Sequence, residues 1–400
     1  MSISRRLRPF LVLTGVLLTA ALVLEMVNGR FWLSDLKVYY LAAEALRNGT
    51  PVYGVAFGED TGLYKYAPSV LHFFLPYTLL PFPAAALVHY VLMGLALSAI
   101  FILLERILQR HVGHGKLPRV VLRAVLGLLC IVVLLVRELH LGNINLGLIL
   151  LVLLATEAVL AGRSFRAGML LGIACFVKPY LLLLCIPMVV RVEVRAWLGG
   201  LLAFAGALCL PLLYPGPTAW LGLHLNWIAS MMGHSLVLES PDTFRYMLIN
   251  LLGRPLPQQV TLAFILAAAI GLAIWTYRNR RMDDARTLEF DRIAELWIPF
   301  ALVPNLVVTD QEHFMFSLPM IMLVMAYLFR YRDRVTLLLF VIGLLAYSTR
   351  SSDLWGVELE NQLVWWGVLG SGNIILLGTG LLAYARWRRD PLLPTEPLSA

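Results

Sequence analysis

"RRLRPFLVLTGVLLTAALVLEMV", Arg5 to Val27, decides the fold class of this 400-residue chain. A basic cluster precedes an apolar run that begins at Pro9 and is about as long as a helix that crosses a bilayer. The run is longer than the core of a usual signal peptide, and no small-x-small cleavage site ends it. We therefore predict an uncleaved first membrane span.

The composition extends this interpretation to the whole chain. Hydrophobic residues make up 60% of it and charged residues only 14%, whereas a soluble domain carries about 25% charged residues. The alternation of apolar and polar residues that marks barrel strands does not occur. We predict an all-α polytopic membrane protein, with residues 1–400 forming one integral membrane domain of about ten to twelve transmembrane helices.

The apolar segments give the order of the predicted spans. We place them near residues 9–30, 84–105, 120–137, 144–161, 196–213, 258–277, 293–309, 314–329, 335–349 and 362–385. Two apolar stretches, 68–82 and 167–190, consist of pieces shorter than the roughly 20 residues of a straight span. These stretches are predicted to be re-entrant, oblique or half-helical.

The charges indicate the orientation of the chain. The threading puts most of the 32 Lys and Arg residues on the side of the termini, so the positive-inside rule predicts that both termini are cytoplasmic. The net charge of +8 is therefore a signal of topology and of contact with anionic membrane lipids. No basic-aromatic surface accompanies it, and no nucleic-acid partner is expected. The four cysteines lie in apolar runs and indicate neither disulfides nor zinc.

The opposite, outer face receives most of the polar chemistry. It holds a first outer loop at 31–67, a second large one at 214–257, and several short loops. The acidic and histidine residues that fall there are Asp35, Glu44, Asp60, Glu138, His140, His224, His234, Asp242, Asp310, Glu312 and His313. A site that opens outward is therefore expected.

The first outer loop contains a short helix directly after the first span. Ser34 is predicted to cap it and Asn48-Gly49 to end it. Apolar residues at helical spacing between them predict an amphipathic helix on the membrane surface. Asp35 in its first turn should stay ionised, with its basicity lowered by the helix dipole. Asp35 has two interpretations at this stage, a favourable residue for a helix start or a functional carboxylate.

Four motifs on this face resemble those of glycosyltransferase family 87, the polyprenyl-phosphate-mannose-dependent mannosyltransferases of the GT-C superfamily. They are an aspartate motif after the first span, a Y-x-Y-x-P element, a G-[QN]-x-N loop and a Lys-Pro pair. The matching residues are Asp35, Tyr39, Ala42, Gly49 and Tyr53; Tyr64, Tyr66 and Pro68; Gly142, Asn143 and Asn145; and Lys178 and Pro179. The resemblance covers residues 10–200 well and the C-terminal half loosely.

The resemblance implies a GT-C-like helical bundle with a juxtamembrane outer helix, and a membrane enzyme in the cell envelope. The sugar donor would be mannose on a polyprenyl phosphate, and the acceptor a hydroxyl of a lipid-linked glycan or another acceptor outside the cytoplasmic membrane. Asp35 would be the general base of an inverting, single-displacement transfer. No Walker or GxGxxG motif occurs, which suits a lipid-phosphate sugar donor, and no cofactor is expected.

Three residues are candidates for binding the donor phosphate. Lys178 lies in an apolar hairpin, where an ammonium normally has a partner; its alternative is a lysine that only sets the depth of the hairpin. His313 can donate to a phosphate or serve as a local hydrogen-bonding residue. Arg137 stands beside Glu138, and an ion pair between the two is the alternative to a phosphate contact.

Five further residues are candidates for substrate binding: Tyr64, Tyr66, Asn143, Asn145 and Asp310. The tyrosines also fit the interfacial aromatic belt, and the asparagines also fit the caps of a turn between two spans. Asp310 and Glu312 should point in different directions on a helix, and His224 and His234 are too far apart for one metal. No metal site is predicted.

Two other functional classes fit such a chain. A transporter or flippase of lipid-linked glycans is the main alternative, and it favours inverted repeats and polar sites near the bilayer midplane. A non-catalytic membrane scaffold accounts for the spans but not for the ordered outer motifs. The polar residues gather at one face, which favours the glycosyltransferase.

Overall fold

A computed structural model describes residues 3–57, 62–113, 117–235, 240–282, 287–307 and 310–389. Nearly all of this part of the chain is helical, and its one sheet is a two-stranded antiparallel hairpin of β1, Ala56–Phe57, and β2, Gly62–Leu63. The prediction of an all-α polytopic membrane protein is confirmed.

Eighteen α-helices follow one another in the described residues. They are α1 Ile3–Val27, α2 Ser34–Arg47, α3 Pro68–Phe74, α4 Phe82–Ile107, α5 Val120–Leu141, α6 Asn145–Leu160, α7 Ser164–Val177, α8 Ile186–Val190, α9 Val194–Leu213, α10 Pro217–Ser235, α11 Phe244–Leu252, α12 Gln259–Arg281, α13 Leu288–Leu306, α14 Leu318–Tyr331, α15 Arg334–Leu345, α16 Ser352–Trp355, α17 Val357–Trp365 and α18 Val368–Arg388. Single 3₁₀ segments cover Leu75–Leu79, Pro179–Cys185, Gln311–Ser317 and Ala346–Ser348, and a π-helical turn covers Leu108–Val112.

Seven helical segments in the described residues are long and apolar enough to cross a membrane. They are Ile3–Val27, Phe82–Val112, Val120–Leu141, Val194–Leu213, Gln259–Arg281, Gln311–Tyr331 and Val368–Arg388. Shorter apolar helices occupy Asn145–Leu160, Ser164–Val177, Pro179–Val190 and Arg334–Ser348. Two of these shorter helices fall in the stretch 167–190, where the sequence predicted pieces too short for a straight span.

Helix α2 differs from its prediction in two respects. Leu33, in the left-handed conformation, occupies the N-cap position, and Ser34 is the first helical residue rather than the cap. The predicted apolar residues Leu36, Tyr39, Tyr40, Ala43 and Leu46 are all buried, in contact with α3 and the 3₁₀ segment after it. Their face is therefore a protein-packing face, which fixes the position of Asp35 on α2.

The region 214–257, predicted as a large outer loop, is mostly helical in its described part. Helix α10 packs on α9 and α3, and α11 packs on α12 and α13. The indole Nε1 of Trp227 on α10 donates to the carbonyl oxygen of Lys65 at 3.1 Å. This bond attaches α10 to the first outer loop.

Glycines bring α7 and α9 into close contact. A Cβ on Gly168 would lie 1.9 Å from the carbonyl oxygen of Ala196, and one on Gly199 would lie 2.1 Å from that of Phe165. No side chain fits in such a space, so this crossing depends on glycine, as helix crossings in membranes often do. It fixes α7, whose C-terminal end leads into Lys178.

Candidate functional site

A cavity of about 260 Å³ lies where α2, the first outer loop and the α5–α6 loop meet the ends of α7 and α10 and the segment before α14. Its charged and polar lining residues include Asp35, Lys65, Asn143, Lys178, Asp310 and His313. The structure thus brings together residues that are far apart in sequence.

Asp35 is in the first turn of α2 and accepts a 2.8 Å hydrogen bond from Asn143 Nδ2 on its Oδ2 atom. Burial raises the pKa of the Asp35 carboxyl to about 6, and the negative charges of Asp310 and Glu312 add to the rise. The expectation that the helix dipole lowers its basicity is wrong, because burial and neighbouring carboxylates outweigh the dipole. A carboxylate with this pKa is ionised at neutral pH and is a better base than an exposed aspartate.

Lys178 connects α7 to the 3₁₀ segment Pro179–Cys185 and is only 5% exposed. Its Nζ atom donates to Asn145 Oδ1 at 2.8 Å and also contacts His313 Nε2. The ammonium lies 5.8 Å from the centre of the Tyr66 ring, within the range of a cation–π contact. Lys178 is therefore a buried cation with fixed partners, and it faces the cavity.

His313 stands in the 3₁₀ segment Gln311–Ser317 and is buried. An ammonium can only donate, so its contact with Lys178 makes Nε2 the acceptor of a neutral imidazole. The Nδ1–H then donates to the carbonyl oxygen of Asp310 at 2.9 Å. This geometry places His313 and Lys178 side by side on one wall of the cavity.

Arg137 has a different partner from the one considered in the sequence. Its guanidinium pairs with Glu312, while Glu138 turns inward to accept from the backbone and side-chain nitrogens of Asn145 at 2.7 and 2.8 Å. Arg137 is not among the residues that line the cavity. Arg137 thus forms an ion pair, as its alternative interpretation expected, but its partner is Glu312 and not Glu138.

Asp310, Glu312 and His313 bring atoms of metal-ligand type within 4.8 Å of one another. The expectation that Asp310 and Glu312 diverge is wrong, because Asp310 is an extended residue before the 3₁₀ segment and the two do not share an α-helix. However, one oxygen of Glu312 pairs with Arg137, and both nitrogens of His313 are engaged. This set of atoms suits local structure better than a metal.

The other predicted site residues fall into two groups. Tyr66 and Asn143 line the cavity, whereas Tyr64 and Asn145 are fully buried behind it and cannot contact a substrate there. Tyr64 donates to the carbonyl oxygen of Ala67 at 3.4 Å. Tyr64 thus belongs to the packing of the first outer loop, and Asn145 acts on Lys178 and Glu138. Asp60 and the side chain of His234 lie outside the described residues.

The sequence analysis gave no site role to several residues of the cavity, including Tyr39, which it named only as part of the aspartate motif. Tyr39, Lys65, Tyr180 and Trp227 all line the cavity. Tyr39 stands one helical turn after Asp35, and this spacing was the signal that could have identified it. Trp227 gave no such signal, because its position depends on how α10 folds back onto the first outer loop.

A long apolar groove lies next to the cavity, between α3, α6, α7 and α9, with a volume of about 660 Å³. Val177, the last residue of α7, lines both the groove and the cavity. Phe73, Ile173 and Leu202 line the groove and are exposed. The polar cavity and the apolar groove are thus neighbours that share Val177.

Comparison with known proteins gives the family. The model of glycosyltransferase family 87 matches residues 64–304, which is more than half of the chain, and includes Tyr66, the two loop asparagines and Lys178. No curated protein matches the chain. Asp35 precedes the matched region, and Asp310 and His313 follow it. The chain belongs to glycosyltransferase family 87, and it is a multi-pass membrane glycosyltransferase.

Proposed function

We propose that this member of glycosyltransferase family 87 transfers mannose from a polyprenyl phosphate to an acceptor hydroxyl at the outer face of the cytoplasmic membrane. The acceptor is a lipid-linked glycan or another hydroxyl compound that reaches the cavity from outside. The observation that carries the proposal is that Asp35 and the Lys178–His313 pair line one cavity that adjoins an apolar groove.

The groove accommodates the prenyl chain of the sugar donor. Its walls are almost entirely apolar, and it reaches Val177, directly before Lys178. A lipid lying in the groove with its phosphate at this end places the sugar in the polar cavity. Aromatic residues that line the cavity, Tyr66 and Trp227, offer ring faces against which a sugar can stack.

The departing phosphate is stabilised by Lys178 and His313. Its negative charge grows as the bond to the sugar C1 breaks, and a fixed cation and an N–H at that position stabilise the transition state most. Phosphate binding replaces the contact between Lys178 Nζ and His313 Nε2. Lys178 donates to one phosphate oxygen, and Nε2, which accepts from Lys178 in the free site, takes up a proton and donates to another. The Asn145 side chain keeps the ammonium in place during this exchange.

Asp35 takes the proton of the acceptor hydroxyl. The acceptor oxygen forms a bond to C1 while the bond from C1 to the phosphate oxygen breaks, and polyprenyl phosphate leaves with the electron pair. One displacement of this kind inverts the configuration at C1. The open carboxylate oxygen of Asp35 and the cation at Lys178 take the roles of base and leaving-group stabiliser on either side of the sugar.

The topology follows from the distribution of charge. Both termini are cytoplasmic and the cavity opens outward, because basic residues favour the side of the termini. The carboxylates and histidines of the site then meet a sugar donor whose phosphate lies in the outer leaflet. The partners are this sugar donor, the acceptor and the membrane lipids.

The test is sugar transfer from polyprenyl-phosphate-mannose in membranes reconstituted with the purified chain. We expect transfer by the wild type and a loss of about 10²- to 10⁴-fold in Asp35→Asn, since general base catalysis contributes about this much. Asp353→Asn, an exposed carboxylate in α16, is the matched control and should retain full activity.

Two results would contradict the proposal. Equal transfer by wild type and Asp35→Asn would remove Asp35 from the chemistry. Absence of transfer by both, with movement of lipid-linked sugar across the membrane in a flipping assay, would favour the transporter alternative over the proposed reaction.

A further inference from the structure

The loop Gly142–Asn145, between α5 and α6, is packed directly against the start of α2. Gly142 ends α5 with a φ of +67°, and a Cβ there would lie 3.0 Å from Leu36 Cβ and 3.1 Å from Leu33 Cβ. Its carbonyl oxygen contacts His89 Nε2 at 3.1 Å. The backbone of this loop is therefore held against the turn of α2 that carries Asp35.

The side-chain amide of Asn143 has one possible orientation. Its Oδ1 accepts from the backbone N–H of Ile144 at 2.8 Å, and that group can only donate. The hydroxyls of Tyr39 and Tyr66 lie 3.3 Å from the same oxygen. Burial raises the pKa of both phenols well above the usual range, so they remain neutral donors. The Nδ2 group must then be the end that meets Asp35.

This orientation fixes one oxygen of the Asp35 carboxylate. Asn143 Nδ2 donates to Oδ2. Oδ1 accepts no hydrogen bond from the described residues and is not a buried unpaired atom, so it is open to the cavity. The carboxylate thus presents one defined oxygen to an acceptor hydroxyl. The side-chain oxygen and one N–H of Asn143 are already hydrogen-bonded, so only the second N–H of Nδ2 could bind a sugar.

Asn145 fixes the Lys178 ammonium in the way that Asn143 fixes the Asp35 carboxylate. Its backbone N–H and its Nδ2 group both donate to Glu138, which fixes the amide with Oδ1 on the other side. That Oδ1 accepts from Lys178 Nζ at 2.8 Å. Glu138, Asn145 and Lys178 are all buried, so bulk water competes little for these hydrogen bonds.

We propose that the loop Gly142–Asn145 is the positioning element of the site, with Asn143 acting through Asp35 and Asn145 acting through Lys178. The inference rests on the proposed function, because it assigns the two asparagines to the base and to the phosphate-binding cation of that reaction. One short segment sets where both groups stand. Neither asparagine is a catalytic residue, since each acts through the group it holds.

The first experiment compares the pH profiles of kcat/KM for wild type, Asn143→Ala and Asn143→Asp. Both variants remove the hydrogen bond that favours the Asp35 anion, so the acid limb should move to higher pH. At pH 7 the rate should fall about 10- to 100-fold, as expected for a misplaced reacting group. Asn143→Asp retains the volume and the acceptor for Ile144, Tyr39 and Tyr66, so it guards against a folding defect in the alanine variant.

The second experiment measures inhibition by polyprenyl phosphate, the product that carries the leaving phosphate. Asn145→Ala and Asn145→Ser should weaken inhibition about tenfold, as the ammonium loses its fixed acceptor, and leave the acid limb of the pH profile in place. The Asn143 variants should show the opposite pattern, with normal inhibition and a shifted limb. Asn250→Ala, an amide on α11 bonded to the carbonyl oxygen of Trp365, is the control and should alter neither.

Four outcomes decide the matter. A change in the acceptor or sugar-donor KM of Asn143→Ala with an unmoved acid limb makes Asn143 a substrate contact and overturns the proposal. So does an equal loss from Asn143→Ala in the Asp35→Asn background, since a residue that acts through Asp35 has no further effect there. Full activity of Asp35→Asn itself overturns the base assignment of the proposed function, whereas unchanged inhibition in the Asn145 variants overturns only the positioning role of Asn145.

Discussion

Asp35 and Lys178 are attached to the same four-residue loop, Asp35 through Asn143 and Lys178 through Asn145, each by a 2.8 Å hydrogen bond. The two charged groups stand 143 positions apart in the chain. Lining the same cavity only brings the two groups near each other. Attachment to one loop also fixes the carboxylate and the ammonium relative to the same backbone segment. The proposed reaction places the sugar between these two groups.

The pH dependence of transfer should follow the ionisation of Asp35. With a pKa of about 6 the carboxylate is the base above this pH and is protonated below it, so kcat/KM should fall as the pH drops through about 6. Asp310→Asn removes a negative neighbour that raises the pKa of Asp35, so the acid limb should move to lower pH. Rate measurements between pH 5 and about 8 test both statements. A limb that stays in place in Asp310→Asn contradicts the assignment of the limb to Asp35.

Replacement of Lys178 should affect the sugar donor. Lys178→Gln retains a polar side chain but lacks the charge, and kcat/KM should fall about 10²- to 10³-fold with weaker inhibition by polyprenyl phosphate. Lys37→Gln on α2, outside the cavity lining, is the matched control. Undiminished inhibition of Lys178→Gln by polyprenyl phosphate is the result that argues against phosphate binding at Lys178.

Filling the apolar groove should select against long prenyl chains. A Cβ on Gly147 of α6 meets nothing within 4 Å, so Gly147→Leu extends into the groove without a clash. The KM for a long-chain sugar donor should rise, while a donor with a short prenyl chain should be used as before. Gly271→Leu on α12 also enters open space, but away from the groove, and serves as control. Equal use of both chain lengths by Gly147→Leu would falsify the assignment of the groove.

Alanine should destabilise the α7–α9 crossing at Gly168 but not at Gly200. The added Cβ of Gly168→Ala would lie 1.9 Å from a backbone oxygen, whereas that of Gly200→Ala would lie 3.5 Å from one. Overpacking of this kind costs about 1–3 kcal/mol. Thermal unfolding in one detergent should show a clear loss of stability for Gly168→Ala alone. Similar unfolding of both variants contradicts the close contact.

Chelation of divalent cations should leave transfer unchanged. Arg137 engages one oxygen of Glu312, and both nitrogens of His313 are engaged, which leaves only Asp310 and the second oxygen of Glu312 as available ligands of that group. Rates measured with and without an excess of chelator test this expectation. Loss of activity that returns on addition of one divalent ion would assign a metal to Asp310, Glu312 and His313 after all.

Much of the fold could be predicted because it depends on apolar length and on the placement of basic residues. These features predicted the helical membrane bundle and the two short apolar stretches. The start of the outer helix was predicted to within one residue, but its burial was not predicted. Its apolar face packs against α3, and the sequence did not decide whether the stretch 68–82, which contains α3, is re-entrant, oblique or half-helical. Helices α10 and α11 were taken for loop, since polar residues and turn formers interrupt their hydrophobic pattern.

The sequence by itself determined that this is an all-helical membrane protein of glycosyltransferase family 87, because apolar runs of span length and ordered motifs are properties of local sequence. Only the tertiary structure decided which residues share the site. It set Tyr64 and Asn145 behind the cavity, paired Arg137 with Glu312, and brought Trp227 and Lys65 to the cavity wall. Such contacts join segments distant in the chain, and they depend on how whole helices pack, which no local pattern encodes.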